Sequence, residues 1–376
     1  MPKKKSKTPI LDMMNAHAKE KFRKEKKEAF LKREFYRLQS ILGYDWAIFY
    51  FLIGSRQAGK SYATTDFFLR QWRKYGRPFY WLRLTENSAK KLLQNNAEKL
   101  IDPDLRRKYN LDLMTNGTNV YEVLKRDDKG KIKEKKLMAR VLALNTFYSD
   151  KGSGYFDKDF LDNPKMYYNI CLDEMNREKD EKKSFDIVYS FTNQLENLVR
   201  NTKTRIRIIC IGNTLEEASD ILSTFNFLPE KFGRFKLKKK RAIIEYMEPT
   251  EKYLNMRKGS IADILMPEAS TFSNKIETDY SLVNKSRLIK PQTIIKFTKS
   301  RSDWFTVWNN SIIAPYNGEK INNIVNMRPY LDGFYSQDVM NTYITLFDTR
   351  SFQYKNLVTF KLFQKNIELL KPRKNG

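Results

Sequence analysis

Residues Gly54-Ser55-Arg56-Gln57-Ala58-Gly59-Lys60-Ser61 satisfy all eight positions of the phosphate-binding pattern G-x-x-x-x-G-K-[ST]. The run Ala47-Ile48-Phe49-Tyr50-Phe51-Leu52-Ile53 before them reads as a buried strand. Ser61 to Lys74 after them carries helix-compatible apolar spacing at Ala63, Phe67 and Phe68. A strand, a glycine-bounded turn and a helix are the context the pattern needs. In it, Gly54 and Gly59 let the backbone N–H groups of Ser55, Arg56, Gln57 and Ala58 close around phosphate oxygens at a helix N-terminus. Lys60 reaches the β/γ-phosphates and the Ser61 hydroxyl can ligate Mg²⁺. The expected ligands are ATP and Mg²⁺.

A chain of 376 residues has room for two domains with appendages. Its net charge of +27 is spread along it: +8 over residues 1–40, +12 over 41–275 and +7 over 276–376. That distribution suits work along a polyanion better than docking of one acidic peptide. Cys171 and Cys210 both sit in apolar runs and read as reduced core residues, and His17 is the one histidine. Zinc sites and Ser-His or Cys-His chemistry cannot be assembled from that inventory. No run of 18 apolar residues and no signal peptide is read, so a soluble, intracellular protein is expected.

Residues 1–40 form a basic extension whose later part, Ile10 to Ile41, favours a helix. Tyr44 and Asp45 stand just ahead of the first strand, where nucleotide-binding folds often place a base-contacting turn, so both are candidates for the nucleotide site. The helix after the loop should end at Lys74-Tyr75-Gly76, with Gly76 as its cap. Phe79 to Leu84 is a second strand with Arg83 at its C-terminal end, facing nucleotide or DNA. Asn87 to Tyr109 reads as mostly helical. A β-hairpin at about 118–145, turning at Asp127-Asp128-Lys129-Gly130, is inserted between core elements; its tip, Lys125 to Lys136, is strongly basic and either contacts nucleic acid or is merely solvated.

The second decisive stretch is Tyr168-Asn169-Ile170-Cys171-Leu172-Asp173-Glu174, an apolar strand ending in two carboxylates more than 100 residues after the phosphate loop. Asp173 would hold Mg²⁺ through water, and Glu174 would act as general base on the attacking water. A glutamate directly after the aspartate favours an ATPase over a kinase, which must exclude water. Arg205 to Gly212 is another buried strand, ending at Asn213, which is either a γ-phosphate sensor or a helix cap. Arg241 to Tyr246 supplies a fifth. The fold class expected over residues 41–248 is α/β, a three-layer P-loop NTPase of the additional-strand, catalytic-glutamate (ASCE) type. A linker over 249–275 leads to a small α+β domain at 276–376, with strands at Thr293 to Phe297, Trp304 to Trp308 and Ser311 to Ala314, then helices around Ser336 to Phe347 and Asn356 to Leu370.

The order Ile53-Gly54-Ser55-Arg56, Gly59-Lys60-Ser61-Tyr62, Lys74-Tyr75-Gly76, Leu172-Asp173-Glu174 with Arg177-Glu178-Lys179, Val199-Arg200-Asn201 and Gly212-Asn213 resembles the DNA-packaging ATPases of small tailed phages. The resemblance is to the phi29-like group, distant relatives of terminase large subunits, and is specific from about Tyr44 to Asn213. It implies an ATP-driven homo-oligomeric ring, generally a pentamer, at the portal of an empty prohead in the host cytoplasm, moving double-stranded DNA inward. In the phi29-like group a structural packaging RNA joins motor to capsid. The same resemblance implies Arg56 as a phosphate-loop arginine, Lys151 as a trans-acting loop lysine, Arg200 as the arginine finger and Asn213 as the coupling residue.

Terminases carry a C-terminal RNase H-like nuclease built on clustered carboxylates. Here Gln292 to Phe297 holds no acid, and Asp303, Glu319, Asp332, Asp338 and Asp348 are scattered, so a nuclease-like fold without nuclease activity is expected. The alternatives are another ATP-dependent nucleic-acid translocase, such as a helicase, or a terminase with an active nuclease.

Overall fold

The computed structural model describes residues 36–152, 167–176, 185–199, 205–213, 219–229, 231–265 and 282–371. Strand β1 (Phe49–Ile53) delivers the phosphate loop, and helix α1 (Lys60–Tyr75) leaves it. Gly76 caps α1 at φ +65°, donating its N–H to the Trp72 carbonyl, so the helix ends where the sequence indicates. Thr64, Thr65, Phe68, Leu69 and Trp72 form its buried face, and the Phe68 ring packs 5.2 Å from Phe79 and edge-on to Trp81. Those two rings belong to β2 (Phe79–Arg83).

The stretch Asn87 to Tyr109, expected to be mostly helical, holds two helices, α2 (Glu86–Ala97) and α3 (Pro103–Tyr109). Asn95, Asn96 and Ala97 take positive φ, which breaks the first, and Asp102 with Pro103 starts the second. Strands β3 (Leu113–Asn116), β4 (Asn119–Arg126) and β5 (Ile132–Ala143) follow, then β6 (Tyr167–Asp173), helix α4 (Ile187–Val199) and β7 (Arg205–Gly212). After the short helix α5 (Asp220–Thr224) come β8 (Gly233–Leu237), β9 (Ala242–Tyr246) and the helices α6 (Glu251–Arg257) and α7 (Ile261–Leu265).

These nine strands make one sheet in the order β3-β4-β5-β2-β6-β7-β1-β9-β8. Strands β5, β2, β6, β7, β1 and β9 are mutually parallel, and β3, β4 and β8 pair antiparallel at the two edges. One expectation changes. The β4–β5 hairpin is not an insertion beside the core, because the second half of β5 pairs parallel with β2 from Phe79↔Ala139 to Arg83↔Ala143. Met138, Ala139, Val141, Leu142 and Ala143 are buried there, the near-continuous apolar run expected of a parallel strand covered on both faces, while Lys133, Lys135 and Lys136 before them are exposed. The basic run from Lys236 ends an edge strand and turns through Lys238–Lys240 into β9, with Arg241 at φ +51°.

Trp72 Nε1 donates to Glu122 Oε2 at 2.9 Å, and Arg73 Nη2 lies 2.7 Å from the other oxygen of that buried carboxylate. The pair fastens α1 to β4 and leaves neither oxygen of the buried carboxylate without a donor.

The chain divides into two compact units, and among the described residues 219–229 group with 282–371 rather than with the large sheet. The second unit has a five-stranded sheet in the order β13-β10-β11-β12-β14. Its strands are β10 (Pro291–Lys296), β11 (Trp304–Trp308), β12 (Ile312–Pro315), β13 (Ile324–Asn326) and β14 (Gln353–Tyr354). The helices α8 (Gln337–Asp348) and α9 (Leu357–Glu368) lie where the sequence indicates. Phe363 of α9 sits at the centre of the core, 5.2 to 5.9 Å from Phe297, Phe305, Phe352 and Tyr354. Asp220 of α5 pairs with Lys361 at 3.5 Å. No helix among the described residues is long and apolar enough to cross a membrane.

Candidate nucleotide-binding site

The parallel order places the C-terminal ends of β1, β2, β6 and β7 side by side, so residues scattered over 160 positions of sequence converge at one sheet edge. Gly54 continues β1, donating its N–H to the Gly212 carbonyl at 3.3 Å. A Cβ on Gly54 would lie 2.5 Å from Met247 Cε and 3.3 Å from Met247 Cβ, so packing against the segment after β9, not only phosphate approach, demands glycine there. Gly59, at φ +83°, turns the chain into α1.

Lys60 is buried, and its ammonium donates to the carbonyls of Gly54 and Ser55, both at 2.7 Å. Burial lowers its pKa to about 8, with Asp173 opposing that fall and Arg56 adding to it. A buried ammonium inside a glycine-bounded loop at the start of a 16-residue helix is a donor set for a polyphosphate. Ser61 Oγ donates to Asp173 Oδ1 at 3.3 Å, which brings a hydroxyl and a carboxylate together as oxygen ligands suited to Mg²⁺. Burial raises the Asp173 pKa, against the pull of Arg83.

The β2/β6 register, Tyr80↔Ile170 to Leu82↔Leu172, brings the next residue of each strand together. Arg83 Nη2 stands 3.1 Å from Asp173 Oδ2, and its other terminal nitrogen is ion-paired with Glu174. Glu174 has left the strand, with φ +57° and a side chain 56 % exposed. Arg83 therefore lines the cleft, as its place at the strand end indicates, and engages the carboxylate pair there. Its place at the end of a strand was readable in the sequence; its partners, ninety residues away, were not.

A cleft of about 1280 Å³ collects Arg56, Gln57, Ala58, Gly59, Lys60, Ser61, Arg83, Asp173, Glu174 and Asn213. Gly54 and Ser55 lie behind it as the buried start of the loop. Tyr44 and Asp45 do not line it. They precede β1 at the end remote from the phosphate loop, about 17 Å of strand away, where Lys236 Nζ lies 4.3 Å over the Tyr44 ring. The segment Tyr36-Arg37-Leu38 lines the cleft instead, with the Tyr36 N–H donating to the Ala58 carbonyl at 3.0 Å. The apolar Leu38 was legible in the sequence only as part of a helix face. Lys252 of α6 also lines the cleft.

Lys151 is exposed, just after a 3₁₀ segment (Leu144–Asp150) that is tied to α4 by Gln194 Nε2 donating to Asp150 at 2.8 Å and Asn197 Nδ2 donating to the Phe147 carbonyl at 2.8 Å. It is not among the residues lining the cleft of its own chain. Arg200, Asn201 and the stretch Arg177-Glu178-Lys179 lie outside the described residues.

A large mixed α/β sheet with this loop and this carboxylate pair at one edge defines a P-loop nucleotide-binding protein. The chain belongs to the podovirus DNA encapsidation protein (Gp16) family, whose model matches residues 30–289. The DNA packaging proteins of Bacillus phages phi29 and PZA are each 27% identical to it over 208 residues, 54% of this chain and 54% of theirs, so the chain spans about half the length of the curated relatives it matches. The solved bacteriophage Phi-29 viral genome packaging motor assembly is 20% identical with a TM-score of 0.61, covering 90% of this chain and 100% of that one. The Phi-28 gp11 DNA packaging motor is 14% identical with a TM-score of 0.56, covering 91% and 99%. Both have the same fold.

Proposed function

We propose that this chain is the ATP-hydrolysing subunit of a ring motor that drives double-stranded viral DNA into a preformed prohead. The observation that carries the reading is the meeting of Lys60, Ser61, Asp173 and Glu174 at one sheet edge in a chain of the encapsidation family. Lys60 and the loop N–H groups hold the β- and γ-phosphates, while Ser61 and Asp173 would hold Mg²⁺. Mg²⁺ bound there would supply charge neutralisation for the polyphosphate. Glu174 takes the proton of the attacking water as its oxygen bonds to the γ-phosphorus and ADP departs. Arg83 engages one of the two Glu174 carboxylate oxygens, so release from Arg83 would free both for the water. Asn213 reads the γ-phosphate from the end of β7. Lys151 and Arg200 act on the neighbouring subunit's nucleotide, which fits a lysine held by its own chain away from its own cleft.

On this reading the first unit is an ASCE-type ATPase and the ring is a pentamer seated on the portal in the host cytoplasm, with a structural RNA as a further partner. The second unit is a degenerate RNase H-like domain without nuclease activity. Its acids are engaged separately: Asp303 accepts from Thr298 at 2.8 Å, Glu319 from Thr306 at 3.2 Å, and Asp348 pairs with Lys371.

The test is defined packaging with purified protein, proheads, genome and ATP, scored as DNA protected from added nuclease. Protection that requires ATP and disappears in Lys60→Ala is the expected result. ATP-dependent strand displacement at a fork, or cutting of plasmid with Mn²⁺, would overturn it in favour of a helicase or an active terminase nuclease.

A further inference from the structure

The phosphate loop is gripped from outside by residues that no nucleotide-binding motif contains. Met247, directly after β9, donates its N–H to the Ile53 carbonyl at 2.8 Å, and its side chain fills the space a Cβ on Gly54 would need. Four residues after β9, Thr250 caps α6 by accepting from the Tyr253 N–H. Tyr253 is 2 % exposed, and its hydroxyl donates to the Arg56 carbonyl at 2.8 Å. One turn later Arg257 Nη1 donates to Gln57 Oε1 at 2.8 Å, with its guanidinium 5.9 Å from the Tyr253 ring centre.

The residues so held are the ones that need holding. Gln57 has φ +64°, a left-handed backbone that a side chain disfavours, in the stretch of loop whose N–H groups must point inward together. Tyr253 and Arg257 lie 197 and 200 residues from their partners, so no local turn chemistry enforces the shape. Lys252, between the cap and Tyr253, lines the cleft itself. The cleft and the loop thus share the same seven-residue helix.

Resting on the reading of the cleft as an ATP site, we propose that α6 is the nucleotide-sensing element of this protein. Tyr253 and Arg257 are positioning residues that hold the phosphate loop in its nucleotide-accepting shape, and bound nucleotide in turn holds α6. The second half follows from the first by linkage, since whatever α6 adds to nucleotide affinity, nucleotide adds to the stability of α6.

The experiment measures equilibrium binding of a fluorescent, non-hydrolysable Mg–ATP analogue to the full chain, steady-state ATPase, and amide hydrogen exchange over residues 54–61 and 251–257. Tyr253→Phe keeps the buried ring and removes one hydrogen bond; Arg257→Met keeps most of the apolar stem. Each is expected to weaken binding about three- to tenfold, the usual range for one lost hydrogen bond. The change should fall on KM rather than kcat, because Glu174, just after β6, is untouched. In the wild-type chain the analogue should slow exchange in 251–257, and in Lys60→Ala it should not. Combining Arg257→Met with Gln57→Ala should weaken binding by less than the product of the single effects. Thermal unfolding of both variants checks that the fold is retained. If the wild-type chain binds and both variants bind equally well, or if exchange slows over 54–61 and not over 251–257, the proposal falls and the ATP site stands. If the wild-type chain binds no nucleotide, the reading of the cleft falls and the proposal with it.

Discussion

Arg83 Nη2 lies 3.1 Å from Asp173 Oδ2 while the same guanidinium is ion-paired with Glu174, so one cation from β2 holds both carboxylates at the end of β6. It compensates the buried charge of Asp173 and it engages Glu174, the proposed general base. Arg83→Gln separates the two roles, since glutamine can still donate to Asp173 but exerts no charge on Glu174. The basal ATPase rate should rise relative to the DNA-stimulated rate, lowering the stimulation ratio. A colorimetric phosphate assay with and without duplex DNA reads it. Equal loss of both rates would leave Arg83 with charge compensation alone.

Lys60→Ala and Glu174→Gln should fail differently. The first removes the ammonium that donates to Gly54 and Ser55, and with it the charge that meets phosphate. The second leaves that cradle intact. Nucleotide binding should be lost in Lys60→Ala and kept in Glu174→Gln, with turnover lost in both. A fluorescent nucleotide titration that finds no binding to Glu174→Gln would move Glu174 from catalysis to affinity.

Nucleotide affinity should depend on pH through Lys60. Its pKa in the free protein is lowered to about 8 by burial, and a bound polyphosphate favours the charged form and raises it again. Below about pH 8 the lysine is already protonated, so affinity should be flat. Above that pH, binding must take up a proton and affinity should fall, approaching tenfold for each pH unit until the pKa of the complex is passed. Dissociation constants of a nucleoside diphosphate measured from about pH 7 to about pH 10 test the sign, and a flat profile would contradict it.

The exposed lysines of the β4–β5 hairpin, Lys131, Lys133, Lys135 and Lys136, sit before the point where β5 joins the core sheet. If they touch DNA, changing them to glutamate should make the slope of log K against log salt shallower by about 0.9 per lost phosphate contact. Titrations of nonspecific duplex at several salt concentrations measure it. An unchanged slope would assign the hairpin to a contact other than DNA.

Glu122→Ala should destabilise the first unit, because Trp72 Nε1 and Arg73 both lose their carboxylate acceptor. The loss should be about 1 to 3 kcal/mol, at the lower end if Arg73, 40 % exposed, recovers its hydration. Chemical denaturation followed by circular dichroism would show it as a lower midpoint with an unchanged slope.

The amino-acid pattern alone determined the phosphate loop, the acidic end of β6, the Gly76 stop of α1, and β10, β11, β12, α8 and α9 of the second unit. Each is written in a local signal: an eight-residue motif, an apolar run with a charged end, a glycine after a helical period, an alternation of two. Tertiary structure decided the rest. That Arg83 holds Asp173 and Glu174 depends on β2 and β6 lying side by side, a consequence of sheet order that no stretch of sequence encodes. Tyr44 stands ahead of the same strand that leads to the loop, yet a strand is straight and carries the two to opposite edges of the sheet, so Tyr36 reaches the cleft and Tyr44 does not. The grip of Tyr253 on Arg56 and of Lys361 on Asp220 joins residues 197 and 141 positions apart, where the pairing is selected by which surfaces the core packs together.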